Sequence, residues 1–317
     1  MVDRRPEAGP HGVRPGPKLY PVRMKRAGCL FLAIAPVATL VVYLLGPDPD
    51  AGGPDDKPSA SQGSDGLARE TEKELQERLA KMPPGLAAKD KKELAQQLVS
   101  SAENSTLDWR ANYGYIEDIG DGNGYTAGII GFCSGTHDML KLVESYTEDH
   151  PDNGLATYLP ALRAVDGSDS HEGLDGFPEA WAKEAGRAEF REAQDRLRDE
   201  DYFDPAVRQA KMDGLSTLGQ FVYYDAMVQH GPGTDPNAFY GIREEAMQRA
   251  KTKAEGGDEK AYLKAFLDVR REVMETKEAH RDTSRIDTAQ RVFLEAGNLQ
   301  LKTPLEWKVY GDPYRVK

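Results

Sequence analysis

The chain has 317 residues, 39% hydrophobic, 30% charged and 8% aromatic, which excludes a wholly disordered polymer. Its 41 basic and 53 acidic residues leave a net charge of -12, which argues against a nucleic-acid backbone as partner. Two cysteines, Cys29 and Cys133, exclude a disulfide-rich scaffold and a four-cysteine zinc site.

The charge is unevenly divided: residues 1–47 carry +5 and the remainder carries -17. Residues 1–26 form a basic N-terminal segment. Residues 27–46, AGCLFLAIAPVATLVVYLLG, are uncharged and long enough to span a bilayer as a helix, with Pro36 kinking it. Basic residues precede this run and the next is Lys57, so the positive-inside bias sends everything after Gly46 outward. A signal anchor and a cleaved signal peptide both fit. The run is long for the latter, and no A-x-A cleavage site follows Leu45. Either way the protein is expected outside the cytoplasm, secreted or tethered to the outer face of the membrane.

Residues 47–87 read as a disordered linker with a short helix. PDPDAGGPDDKPSASQGSD lacks apolar periodicity. The charged stretch 66–82 carries only Leu67, Leu75 and Leu79 on one face before Pro83-Pro84-Gly85 ends it, so that helix is expected to stay undocked.

Residues 88–317 form the folded region, mainly helical. Asp90–Glu103 places Leu94, Leu98 and Ala102 at i, i+4, i+8. Tyr113–Phe132 differs: Asp121-Gly122 and Asn123-Gly124 are hairpin signals, predicting a small antiparallel β-sheet. Ser134, Thr136 and Asp138 offer caps for a helix bearing Met139, Leu140, Leu142 and Val143. Helical runs are predicted over Trp181–Leu197, Pro205–Gln229, Gly241–Ala254 and Ala261–Lys277.

Several chemistries are absent. There is no H-E-x-x-H and no G-x-S-x-G, and Asp118–Asn123 lacks the ligand spacing of a calcium loop. Cys133 and His137 would meet at i, i+4 on a helix, but Ile129-Ile-Gly-Phe132 before the thiol points to a buried, inert cysteine. Carboxylates remain. Glu103 ends an apolar helix stripe, where desolvation favours a protonated acid. Asp121 sits in a glycine-flanked turn where amides and water keep it ionised. Two carboxyl groups in contrasting environments suit glycosidic hydrolysis. A helix-capping Glu103 and an Asx-turn Asp121 would look the same in sequence.

Ser100-Ser-Ala-Glu-Asn-Ser-Thr-Leu-Asp-Trp109, Tyr115-Ile-Glu-Asp-Ile-Gly-Asp-Gly-Asn-Gly-Tyr-Thr126 and Gly128-Ile-Ile-Gly-Phe-Cys-Ser-Gly-Thr136 together resemble the chitosanases of glycoside hydrolase family 46. The similarity continues through Tyr202-Phe-Asp-Pro205, His230-Gly-Pro-Gly233, Asp282-Thr-Ser-Arg285 and Trp307-Lys-Val-Tyr-Gly-Asp-Pro-Tyr314. It implies a two-lobed, lysozyme-like fold around a substrate cleft, and endo-hydrolysis of β-1,4-linked glucosamine polymers with inversion. It also implies Glu103 as general acid, Asp121 as general base, and Thr126 helping to hold the attacking water. The two carboxyl groups of an inverting enzyme lie about 6.5–9.5 Å apart. Asp138 would bind a glucosamine ammonium, Tyr115 and His230 would line the cleft, and Asp225, Arg270 and Arg285 would form a buried ion network. The chemistry implied is metal-free and without a cofactor; chitosan is the partner, and a monomer the expected state.

Departures concern specificity. Asn123 stands where some members carry arginine, and Lys277 and Arg281 where close relatives carry acidic subsite residues, leaving acetyl tolerance open. The alternatives are a hydrolase of partly acetylated chitosan or chitin, and a membrane-tethered amino-polysaccharide-binding protein without activity.

Overall fold

A helix that is apolar on every side has to be buried, and Thr217–His230 (LGQFVYYDAMVQ between its ends) is buried along its whole length. In a computed structural model describing residues 72–277 and 282–317, this helix packs against the helices before and after it, the 85–87 turn and the π-helical turn at 199–203. The basic segment, the uncharged run 27–46 and the linker up to residue 71 lie outside the described residues, as do Arg281 and the side chain of Lys277. Among the described residues no helix is long and apolar enough to cross a membrane.

In chain order the helices are α1 (Glu72–Lys81), α2 (Lys89–Glu103), α3 (Asp138–Asp149), α4 (Leu159–Val165), α5 (Phe177–Glu184) and α6 (Ala188–Arg198). They continue as α7 (Asp204–Met212), α8 (Thr217–His230), α9 (Phe239–Arg249), α10 (Glu259–Lys277) and α11 (Arg291–Glu295). The strands β1 (Ile116–Asp118), β2 (Tyr125–Ala127) and β3 (Phe132–Cys133) form one antiparallel sheet, with Thr126 opposite both Glu117 and Cys133. A separate hairpin joins β4 (Leu305–Val309) to β5 (Asp312–Val316).

These elements fall into two lobes. One holds β1–β3 and α3–α6; the other holds α8–α11 and the β4–β5 hairpin. The helical path α6–α7, continuous through a π-helical turn at Asp199–Phe203, runs from the first lobe to the second. Helix α2 is tied to both. Trp109 Nε1, just before β1, donates to Glu93 Oε1 at 3.1 Å, while Tyr224 of α8 donates to Gln96 Oε1 at 2.9 Å. Trp307 Nε1 of β4 donates to Ser101 Oγ at 2.9 Å. This is the mainly α architecture expected, with its small antiparallel sheet.

Some expectations need correction. The linker ends earlier than residue 88: Leu79 of α1 is buried, and Leu86 is buried with its N–H donating to Gln220 Oε1 at 2.8 Å. One well-placed leucine is enough to dock a weakly amphipathic helix. The run Pro205–Gln229 is two helices, broken where Gly214 takes φ +74°; Trp181–Leu197 is broken at Ala185–Arg187, and the α9 helix stops at Arg249. The β4–β5 hairpin was not anticipated, although Leu305, Trp307 and Val309 alternate inward.

The sheet reaches its neighbour through glycine. A Cβ on Gly135 would lie 2.2 Å from the Ser168 carbonyl oxygen, and the Gly135 N–H donates to Asn123 O at 3.0 Å. Gly135→Ala should therefore force the 167–171 segment off the sheet and lower unfolding free energy by about 1–3 kcal/mol, read as a lower urea midpoint at unchanged slope.

Candidate active site

The apolar stripe of α2 carries Leu94, Leu98 and Ala102 into the core and brings Glu103, its last residue, to the same side with 6% of its surface exposed. Glu103 Oε1 lies 2.7 Å from Arg285 Nη1. Arg285 stands at the start of the π-helical turn Ile286–Gln290, and its Nη2 donates to Asp225 Oδ1 at 2.8 Å. Asp225 Oδ2 meets Arg270 Nη2 at 2.7 Å and accepts from Gln290 Nε2. Arg270 also donates from Nη1 to Gln290 Oε1 at 3.1 Å, from Nη2 to Gln229 Oε1, and from Nε to His230 Nε2 at 3.2 Å.

Burial opposes every charge in this chain of contacts. At Asp225 it is outweighed by the two guanidiniums, which hold the carboxyl below its usual range. Arg270 has one carboxylate to share, and burial pulls it down to about 10. Burial acts on Arg285 as well, but Asp225, joined by Glu103 whenever that carboxyl is ionised, overcomes it and raises the guanidinium above its ordinary value. Removing one member would leave the others buried and uncompensated, so the network fixes where Glu103 sits more surely than it stabilises the fold.

Asp121 occupies the opposite environment. It is exposed in the turn between β1 and β2, its Oδ1 accepting from Asn123 N at 3.1 Å. Gly120, Gly122 and Gly124 all have positive φ, and no atom lies within 4 Å of a Cβ placed on Gly120 or Gly122. The turn is held at its mouth instead: Asp118 Oδ1 accepts from Gly120 N at 2.8 Å, and Tyr125 N donates to Ser134 Oγ at 2.9 Å.

Thr126 is buried on β2, with Oγ1 3.4 Å from Cys133 Sγ. Asp138 opens α3, and its Oδ1 accepts from Cys133 N at 3.0 Å, Thr136 Oγ1 at 2.8 Å and Met139 N at 2.9 Å. Its Oδ2 accepts from Tyr202 OH at 3.2 Å. Burial pushes the Asp138 carboxyl up to about 6, against the pull of these donors. Tyr115 is half-buried and its hydroxyl donates to Glu117 Oε2 at 3.0 Å. His230, expected to line the cleft, is 2% exposed, and its Nε2 accepts from Arg270 Nε of the buried network.

The structure thus joins Glu103, Arg285, Asp225, Arg270 and His230 in one assembly, and Thr126, Cys133 and Asp138 in another. Tyr115 and Asp121 lie on the hairpin beside the second. Gln229, Gln290 and Tyr202 were missed. Gln229 does lie one turn after Asp225 on α8, but neutral amides carry no chemical signature in a sequence. The nucleophilic pairing of Cys133 with His137 is absent. Cys133 is fully buried on β3, and His137, at φ 71°, precedes α3 with Nδ1 2.9 Å from Asp166 Oδ2. Among the described residues no group of three or more His, Cys, Asp or Glu side chains is placed to hold a metal ion.

Residues 97–305 match glycosyl hydrolase family 46. A chitosanase of Streptomyces sp. (strain N174) is 63% identical over 233 residues, spanning 73% of this chain and 84% of that protein. A chitosanase of Nocardioides sp. (strain N106) is 60% identical over 233 residues, spanning 73% and 84%. The co-crystal structure of chitosanase OU01 with substrate aligns at a TM-score of 0.73 with 56% identity, covering 74% of this chain and all of that one.

Neutralising the shared carboxylate tests the network. Asp225→Asn leaves two guanidiniums buried without their common anion, and should lower unfolding free energy by about 3–5 kcal/mol in denaturant melts at pH 7. Because the folded-state pKa of Asp225 is depressed, its contribution is present above the unfolded value of about 3.9 and is lost as pH falls through the lower folded value. The gap between wild type and variant should therefore narrow in acid.

Proposed function

The chain belongs to glycosyl hydrolase family 46, and on that premise we propose that it cleaves β-1,4 linkages within chitosan, an inverting endo-hydrolase of glucosamine polymers. The fold is the two-lobed, lysozyme-like one of that family. The observation that carries the assignment of roles is the contrast between Glu103, buried against Arg285, and Asp121, exposed in a turn.

Glu103 acts as general acid. As it gives its proton to the leaving glycosidic oxygen it becomes an anion, and the Arg285 guanidinium 2.7 Å away gains a full ion pair at that moment. An interaction stronger in the transition state than in the ground state lowers the barrier. Arg285 is itself held by Asp225, so it needs no rearrangement. Asp121 removes a proton from water arriving on the other face of the sugar, and Thr126 orients that water. Asp138 pairs with a glucosamine ammonium, its carboxylate already immobilised by four donors. The -17 carried by residues 48–317 would draw in a polycation. The uncharged run 27–46 supports an extracytoplasmic location, secreted or tethered, which cell fractionation decides.

The test is reducing-end release from highly deacetylated chitosan. Glu103→Gln and Asp121→Asn should each lower kcat by about 10²–10⁴-fold at nearly unchanged melting temperature. No release by the folded wild-type protein would falsify the reading, and full activity in either variant would remove that carboxyl from the mechanism.

The Asp138 subsite has its own signature. A carboxyl raised to about 6 is charged above that pH and neutral below it, so KM should rise as pH falls through about 6. In Asp138→Asn the KM should be raised above that pH, converge with wild type below it, and lose the step.

A further inference from the structure

A thiol has one hydrogen to give. Cys133 lies directly opposite Thr126 in the β2–β3 register, fully buried, and its Sγ donates to Gly131 O at 3.3 Å. The same sulfur is 3.4 Å from Thr126 Oγ1. With its hydrogen spent on the carbonyl, the sulfur can only accept from Thr126, which commits the threonine's hydroxyl hydrogen to sulfur. We infer that Cys133 is a positioning residue that fixes the polarity of the Thr126 hydroxyl, turning it into a hydrogen-bond acceptor toward the attacking water. The inference rests on the role given to Thr126 above.

The polarity matters to the reaction. The attacking water must give one hydrogen to Asp121 and keep a lone pair for the anomeric carbon. A hydroxyl that accepts takes the second hydrogen, which aims the oxygen and leaves both its lone pairs on the side of the sugar; one that donates would tie up one of the two and make the oxygen a poorer nucleophile. A thiol suits the task because it is a weak donor and acceptor and competes little for the water itself. Gly131, at φ +84°, tolerates the backbone conformation from which its carbonyl meets Sγ. The backbone of Cys133 is anchored separately, its N–H donating to Asp138 Oδ1 at 3.0 Å, so a side-chain change leaves the strand in place.

The experiment compares kcat, KM and melting temperature of Cys133→Ala, Cys133→Val, Cys133→Ser, Thr126→Val and the Cys133→Val/Thr126→Val double variant on soluble chitosan. Valine keeps the bulk of the thiol and the strand propensity, so the measurement survives if the alanine variant folds poorly. Cys133→Val should lose about tenfold in kcat at unchanged KM, and Cys133→Ser should recover most of it, since a hydroxyl can repeat both bonds. The double variant should be no slower than Thr126→Val alone, because both changes act on one hydroxyl. Wild-type kcat in Cys133→Val, an additive double variant, or a serine variant no better than valine would each overturn the inference while Thr126→Val stays impaired. Wild-type kcat in Thr126→Val would instead overturn the role of Thr126 itself.

Discussion

One carboxylate ties the helices of the second lobe to the end of α2. Asp225, on the fully buried helix α8, faces Arg285 and Arg270 on opposite oxygens, and Arg285 passes the contact on to Glu103 at the end of α2. None of these groups could be buried alone, because an unpaired charge in a protein interior costs several kcal/mol. Each position therefore depends on the others. The elements that supply them (α2, α8, α10 and the turn before α11) are locked at the place where the proposed acid sits.

Rigidity on one side is matched by a different construction on the other. The base role proposed for Asp121 needs water around it, and a glycine turn with open space about Gly120 and Gly122 gives that access. Its order comes from the strands that flank the turn, and from Ser134 and Gly135, which hold the mouth through side-chain and backbone bonds. The proposed acid is fixed by ions in a dry interior and the proposed base by backbone geometry at the surface. This difference in environment is what would let two carboxyl groups of similar intrinsic acidity take the opposite roles proposed for them.

How much of this could be read from the sequence depended on the kind of signal. Glu103 at the end of an apolar stripe, and the hairpin around Asp121, follow from local periodicity and turn chemistry, and both elements are where those patterns put them. Roles came from the resemblance, since 53 acidic residues offer many equally good pairs. The breaks at Gly214 and Ala185–Arg187 escaped because helical periodicity continues across a short interruption. The β4–β5 hairpin escaped because five alternating residues make a weak signal beside long helices. Gln229 and Gln290 were illegible for another reason: their importance comes from neighbours brought together only by folding, Gln290 lying 65 residues from Asp225.

The hydrogen bond from Trp307 to Ser101 crosses 206 residues of sequence and covers the helix end two positions before Glu103. A growing chain holds α2 and the Asp121 turn early but lacks Arg270, Arg285 and the β4 indole until residues 270–307 have emerged. Up to that point Glu103 has neither its guanidinium nor its apolar cover. Assembly of the surroundings of Glu103 is thus coupled to emergence of residues 270–307, so a molecule cut short before them would carry the carboxyl without the environment proposed to make it an acid.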